Sequence, residues 1–222
     1  MYMSVDYLEE ERIKVLKHYD ILDTPADGNW DRLTRLAAKI FNMPIAVVSL
    51  VDTDRVWFKS SYGLDVREVG TEPGLCTSAI LSDDIYIVEN AVQDPRALTN
   101  PLVVSGFGLR FYAAVPLQTA DGYNIGTFAI IDRKQRYLTA AQQETLKELA
   151  GIAMDEIELR LAARRSAKKV NQLLDATRSH LQDTIAEIAK LPIAEKSDPV
   201  LKLADSSREI VQHIEDYLQE QG

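Results

Sequence analysis

Apolar positions recur every three or four residues over two early stretches. Residues 7–19 set Leu8, Val15, Leu16 and Tyr19 on one side, and residues 29–42 set Trp30, Leu33, Ala37, Ile40 and Phe41 on one stripe. Each spacing predicts an amphipathic helix. Thr24-Pro25 ends the first and Pro44 the second, because the residue before a proline leaves the helical region. The period then changes. Ile45–Val51 is apolar at every alternating position except Ser49, which predicts a strand covered on both faces. Asp52-Thr53-Asp54 turns the chain and Val56–Ser60 returns as a second strand. Ile85–Val88 reads as a third, and 111–118 and 125–132 as two more around Asp121-Gly122, a strong hairpin signal. Residues 75–82 and 95–106 read as irregular or short helical pieces. The sum is an α+β fold, a central antiparallel sheet of five to six strands flanked by helices.

Past residue 138 the helical period takes over. Thr139 is a candidate N-cap and Gln142 closes a capping box with it. From there to Leu191 no proline intervenes, and Gly151 is the only glycine. Leu146, Leu149, Ala153 and Ile157 form a stripe suited to packing on the domain or a partner. Ala162–Lys169 is thin in large apolar residues, and Val170, Leu174, Thr177, Leu181, Ile185 and Ile188 form a second stripe. Leu191-Pro192 breaks the helix and Asp198-Pro199 restarts one, with Leu203, Ser207, Ile210, Ile214 and Tyr217 inward. Helices 166–190 and 199–219 then make an antiparallel hairpin. Two helices alone bury little, so a homodimer through helices 139–219 is expected, with a protein partner docked on the hairpin as the other solution. The division is 1–138, a compact domain, and 139–222, a long connecting helix and hairpin. Eight of the 10 Gly, six of the 8 Pro and every aromatic except Tyr137 and Tyr217 lie before residue 137, which fits that division.

The 222 residues are 46% hydrophobic and 27% charged, ordinary globular usage. A net charge of −9 argues against a basic nucleic-acid face and against anionic lipid. The single cysteine, Cys76, excludes an internal disulfide framework, a Cys-rich zinc module and a dithiol couple. His18, His180 and His213 are far apart and show no metal-ligand spacing. The first residues carry no basic and apolar leader pattern, and no run approaches the roughly 18 apolar residues of a membrane span. The expectation is a cytoplasmic protein with no metal, membrane or nucleic-acid partner.

A series of short blocks follows one another in a fixed order: Ile21–Pro25, Pro44–Asp52, Trp57–Ser60 with Gly63-Leu64, Cys76–Ile80, Asn90–Arg96, Asn100–Val103, Arg110–Leu117, and Ile125–Asp132 after Asp121-Gly122. In these the sequence resembles the GAF sensor-domain family over about residues 8–136. The resemblance implies that the terminal helices pack on one face of the sheet. The other face, with the loops near 75–82 and 90–107, forms a small-molecule pocket. Aromatic and polar residues converge there, and Trp57, Phe58, Cys76, Asp94, Phe107, Arg110 and Tyr112 are the candidate pocket residues.

Sharper chemistries fit less well. Cyclic-nucleotide-regulated members carry an N-K…F-x-x-x-D-E signature, which this sequence lacks. Bilin-binding relatives attach the pigment through a Cys just before the strand at 111–117, and residues 95–110 hold none. Both cofactors are therefore disfavoured and the ligand is unknown. Free-methionine-sulfoxide reductases share the fold and use additional resolving Cys residues, so Cys76 alone points to a small buried side chain or a redox-sensing thiol. Ser179–Thr184 loosely resembles a histidine-kinase phosphoacceptor box but has Leu181 after His180 in place of an acid. The resulting expectation is a non-catalytic sensor of a small ligand or of redox state, not an enzyme, that signals through dimeric helices. The alternatives are an interaction module with a vestigial pocket, or a redox enzyme or redox sensor using Cys76.

Overall fold

A computed structural model of the chain describes residues 5–72, 74–104, 106–190 and 198–220. They form two compact units, Met1–Leu159 and Arg160–Gly222. The border between these units falls inside a helix, whose early turns belong to the first unit.

In the first unit, α1 (Val5–His18) and α2 (Gly28–Phe41) precede β1 (Ile45–Val51) and β2 (Arg55–Tyr62). The Asp27 side chain caps the start of α2 by accepting from the Asn29 N–H, and Asn42 ends it in a left-handed conformation, φ 48°. A short β3 (Glu68–Gly70) follows, then α3 (Leu75–Ala79), β4 (Tyr86–Val88) and α4 (Pro101–Val104). The sheet is completed by β5 (Phe111–Gln118) and β6 (Asn124–Asp132), joined by a tight turn in which Gly122 has φ +84°. The six strands are antiparallel in the order β3-β2-β1-β6-β5-β4. β1 and β6 lie in the middle and are buried at every position.

Alternation along the strands sends successive side chains to opposite faces. Ile45 and Val47 of β1, Tyr112 and Ala114 of β5 and Ala129 and Ile131 of β6 share one buried cluster with Leu75 and Ala79 of α3. α2 packs over β1 and β2 on the other face, where Thr34 bonds the Ser60 hydroxyl. A bulge re-aims β2. Val48 pairs with Ser60 while Ser49 pairs with Phe58, which leaves Lys59 as the extra residue. Lys59 is 4% exposed. Its ammonium donates to the Thr24 hydroxyl and the Pro25 carbonyl, both at 2.9 Å, and lies 6.0 Å from the rings of Trp30 and Trp57. The bulge thus lets Lys59 and Ser60 both face the helix layer, where Lys59 fastens the loop after α1.

β6 leads into α5 (Ala140–Lys190) through a short, tied connector. Asp132, almost fully buried, accepts from Arg136 Nε at 2.6 Å and the Lys134 N–H at 3.2 Å, and Arg136 also donates to the Asn42 carbonyl. Thr139 and Gln142 then form the reciprocal box that the sequence predicts, at 3.0 and 3.2 Å. Leu146, Leu149, Ala153 and Ile157 are buried as their spacing predicts. α5 is unbroken for 51 residues, about 77 Å at 1.5 Å per residue. The stretch 162–169 does not interrupt it, because Ala, Arg and Lys are strong helix formers even where nothing packs.

In the second unit, the distal part of α5 and α6 (Asp198–Glu220) form the hairpin. Leu174, Leu181, Ile185 and Ile188 are half-buried. On α6 the inward residues are Ala204, Ser207, Val211 and Ile214, while Leu203, Ile210 and Tyr217 are exposed. Ser207 and Ile214 face inward as expected, whereas at two positions the covered residue is the next one along, Ala204 for Leu203 and Val211 for Ile210. The break at Leu191-Pro192 lies outside the described residues. No helix among the described residues is long and apolar enough to cross a membrane.

Candidate functional site

The sheet face opposite α2 is roofed by α3, α4 and their loops, and a cavity of about 350 Å³ lies beneath them. Its floor is Val47, Val56, Phe58, Tyr112 and Ile131 from four strands. Its walls are supplied by Leu64, Leu75, Cys76, Leu102, Phe107 and Leu109. α4 is set in place by Asn100, whose Oδ1 accepts the Leu102 N–H at 2.9 Å, the same Asx device that makes Asn-Pro a turn starter.

Two polar pairs lie on this face of the sheet. The Ser49 and Thr127 hydroxyls meet at 2.8 Å across the two central strands, and Tyr112 donates to Cys76 Sγ at 3.2 Å. Tyr112 is 2% exposed. Burial, followed by the neighbouring thiol, pushes its phenol well above the ordinary range, so it stays neutral and remains a donor. Tyr86 packs edge-on against Tyr112 at 6.2 Å.

Four of the candidate pocket residues, Phe58, Cys76, Phe107 and Tyr112, line this one cavity. Three do not. Trp57 is one residue out of phase with Val56 and Phe58, so it faces the helix layer beside Lys59. Asp94 is held locally by Arg96, accepting from its backbone N–H, Nε and Nη2 at 3.0, 2.9 and 2.6 Å. These bonds lower its carboxyl below the usual range. Arg110 donates to the Val103 and Leu109 carbonyls and braces the roof instead of facing the cavity. Val56, Leu64, Leu75, Leu102 and Leu109 also line the cavity and are not among the candidates. Only the parity of β2 relative to its bulge, and the folding of two loops onto one face, distinguishes these from other core residues. Among the described residues no cluster of three or more His, Cys, Asp or Glu stands ready to hold a metal ion.

A single antiparallel sheet with helices on one face and a loop-roofed apolar cavity on the other defines the class as an α+β domain. The GAF domain model matches residues 27–157, and the chain belongs to the GAF domain family. It is 37% identical over 128 residues to a cyclic di-GMP phosphodiesterase of Pseudomonas aeruginosa. The match takes in 58% of this chain, which spans 22% of that relative's length. Among solved structures it is similar to a free methionine-R-sulfoxide reductase of Neisseria meningitidis, with TM-score 0.50 and 21% identity over 75% of this chain and 97% of that one. It is also similar to a domain of a two-component sensor histidine kinase of Sinorhizobium meliloti, with TM-score 0.50 and 18% identity over 64% and 96%. These two likenesses show the fold. The expectation that the chain is not an enzyme is corrected by the same findings. The relative at 37% identity is named a phosphodiesterase and a reductase shares the fold, so enzymatic activity accompanies this domain in its relatives.

Proposed function

We propose that this GAF domain is the sensory part of a signalling protein. A small molecule occupies the cavity between sheet and roof, β6 carries the change to α5, and a homodimer of α5 and α6 delivers the output. The phosphodiesterase relative supports placing that output on an enzyme of cyclic-dinucleotide turnover, as a regulated activity. One observation carries the reading. Ile131 lines the cavity, and the next residue, Asp132, is the anchor of the connector that ends in the capped start of α5. Fewer than ten residues separate a ligand contact from the first turn of the helix. A shift in this connector reaches α5 provided the ligand binds two arrangements of the helix with different affinity. Exposed Leu36, Ile40, Ile152 and Leu159 in the first unit support a helical dimer face, as do Leu173, Leu203 and Ile210 in the second.

Two measurements test this. Light scattering of the full chain is expected to give about twice 24.9 kDa; a particle of single-chain mass refutes the dimer. Leu102→Trp, which fills the cavity from its half-buried wall, is expected to change amide exchange along residues 140–159. Unaltered exchange there refutes the coupling.

A further inference from the structure

The cavity lining also indicates the class of molecule it takes, an inference that rests on the sensory reading above. Apart from Cys76 and Asn100 the enclosing side chains are aliphatic or aromatic, and the only charged residue among the described lining residues is Glu72, at the exposed rim. Among the described residues no Lys, Arg or His lines the space. Two guanidinium groups near the roof are committed elsewhere. Arg133 lies 5.0 Å over the Phe107 ring, and Arg110 is bonded to the Val103 and Leu109 carbonyls at 3.2 and 2.8 Å. α3 begins at the cavity edge but runs for only five residues, so its dipole is a fraction of the half-charge of a full helix. A phosphate or carboxylate entering here gives up its hydration without meeting a cation, and passes a like charge at the rim. The space of about 350 Å³ lies at the small end of ligand pockets.

The Tyr112–Cys76 pair adds direction. Tyr112 donates its hydroxyl hydrogen to Cys76 Sγ. The sulfur is therefore engaged as an acceptor, and the thiol hydrogen is left as a donor for a bound molecule. Tyr112 is itself buried on β5, so this contact is held by a core strand residue.

We infer that the cavity takes an uncharged, largely apolar molecule carrying one hydrogen-bond acceptor, such as a carbonyl, set against Cys76, and that it rejects nucleotides and other anions. The test uses the full chain and two probes of the same ring system, 2-acetylnaphthalene and 2-naphthoate, with cyclic di-GMP as a third, titrated by calorimetry. The ketone is expected to bind at least tenfold more tightly than the carboxylate, and cyclic di-GMP to show no saturable binding over the same range. Leu102→Trp and Leu64→Trp, each checked for cooperative unfolding, are expected to weaken the ketone at least tenfold. Equal or tighter binding of either anion, absence of ketone binding, or ketone binding untouched by both substitutions overturns the inference. The sensory reading fails separately. If the ketone binds but exchange in residues 140–159 is unchanged, the ligand class stands and the coupling falls. If the tryptophan substitutions move α5 while the ketone does not bind, the coupling stands and the ligand class falls.

Discussion

The middle of the sheet permits a sharp test with one substitution made at two glycines. Gly126 lies on β6 opposite Leu50 of β1. A Cβ at Gly126 meets the Ser49 carbonyl oxygen at 2.0 Å and two Leu50 atoms at 3.0 Å. An ordinary contact is about 3.4 Å or more, so two central strands must part by roughly 1 Å. Overpacking of this kind costs about 1–3 kcal/mol, and each weakened ladder bond adds about 1 kcal/mol. The reduced entropy of the unfolded chain returns about 0.4–1 kcal/mol. Gly126→Ala is therefore expected to lose about 3 kcal/mol, a fall in Tm of about 6–12 °C for a domain of this size. Gly151 is exposed within α5 and a Cβ there meets nothing within 4 Å. Gly151→Ala is expected to gain about 1 kcal/mol from helix propensity, raising Tm by about 2–4 °C. Urea unfolding followed by the fluorescence of Trp30 and Trp57, both buried in the first unit, measures both. A Gly126→Ala protein at least as stable as the parent would refute the packing of β1 against β6, and a Gly151→Ala protein less stable than the parent would refute the open space at that turn of α5.

Three further results follow from the same contacts. Asp132→Asn weakens the 2.6 Å ion pair with Arg136 and is expected to cost about 1–3 kcal/mol in urea unfolding, with faster exchange in the first turns of α5; unchanged exchange there counts against a tied connector. Lys59→Met keeps the stem but removes the bonds to Thr24 and Pro25, and an expected loss of about 1–3 kcal/mol is contradicted by a neutral variant. Asp94 and Asp23 have carboxyls lowered by hydrogen bonds from Arg96 and Arg55 respectively. A lowered folded pKa means that their stabilisation is complete above the unfolded carboxylate value of about 3.9 and disappears as pH falls through the lowered one. The stability difference between the parent and Asp94→Asn is expected to be constant from pH 7 to 5 and to shrink below pH 4; a difference that grows with acid has the wrong sign.

Features encoded in neighbouring residues were legible before the structure. The Asp121-Gly122 turn, the Thr139/Gln142 box, the two amphipathic helices and the change of period at Ile45 each depend on spacing within one turn or one strand. Features set by register were not. The bulge at Lys59 arises from how β2 pairs with β1, and it determines that Phe58 enters the cavity and Trp57 does not. Asp94 and Arg110 carry charges that suit a pocket, yet each is satisfied by a partner within a few residues, a choice that depends on loop geometry. The three-residue β3 is too short to show a period, and it is visible only through its pairing with Arg55, Val56 and Trp57. α5 runs through its apolar-poor middle because propensity alone suffices there, whereas a reading by hydrophobic stripe divides it.

Amide hydrogen exchange of the full chain with and without saturating 2-acetylnaphthalene tests the central claim most directly, because it reads the cavity and α5 together. Slower exchange is predicted in residues 75–82 and 101–109, and with it a change in the early turns of α5 that Asp132→Asn diminishes. Protection confined to the cavity walls, with residues 140–159 unaffected, would contradict transmission from the cavity to the helix.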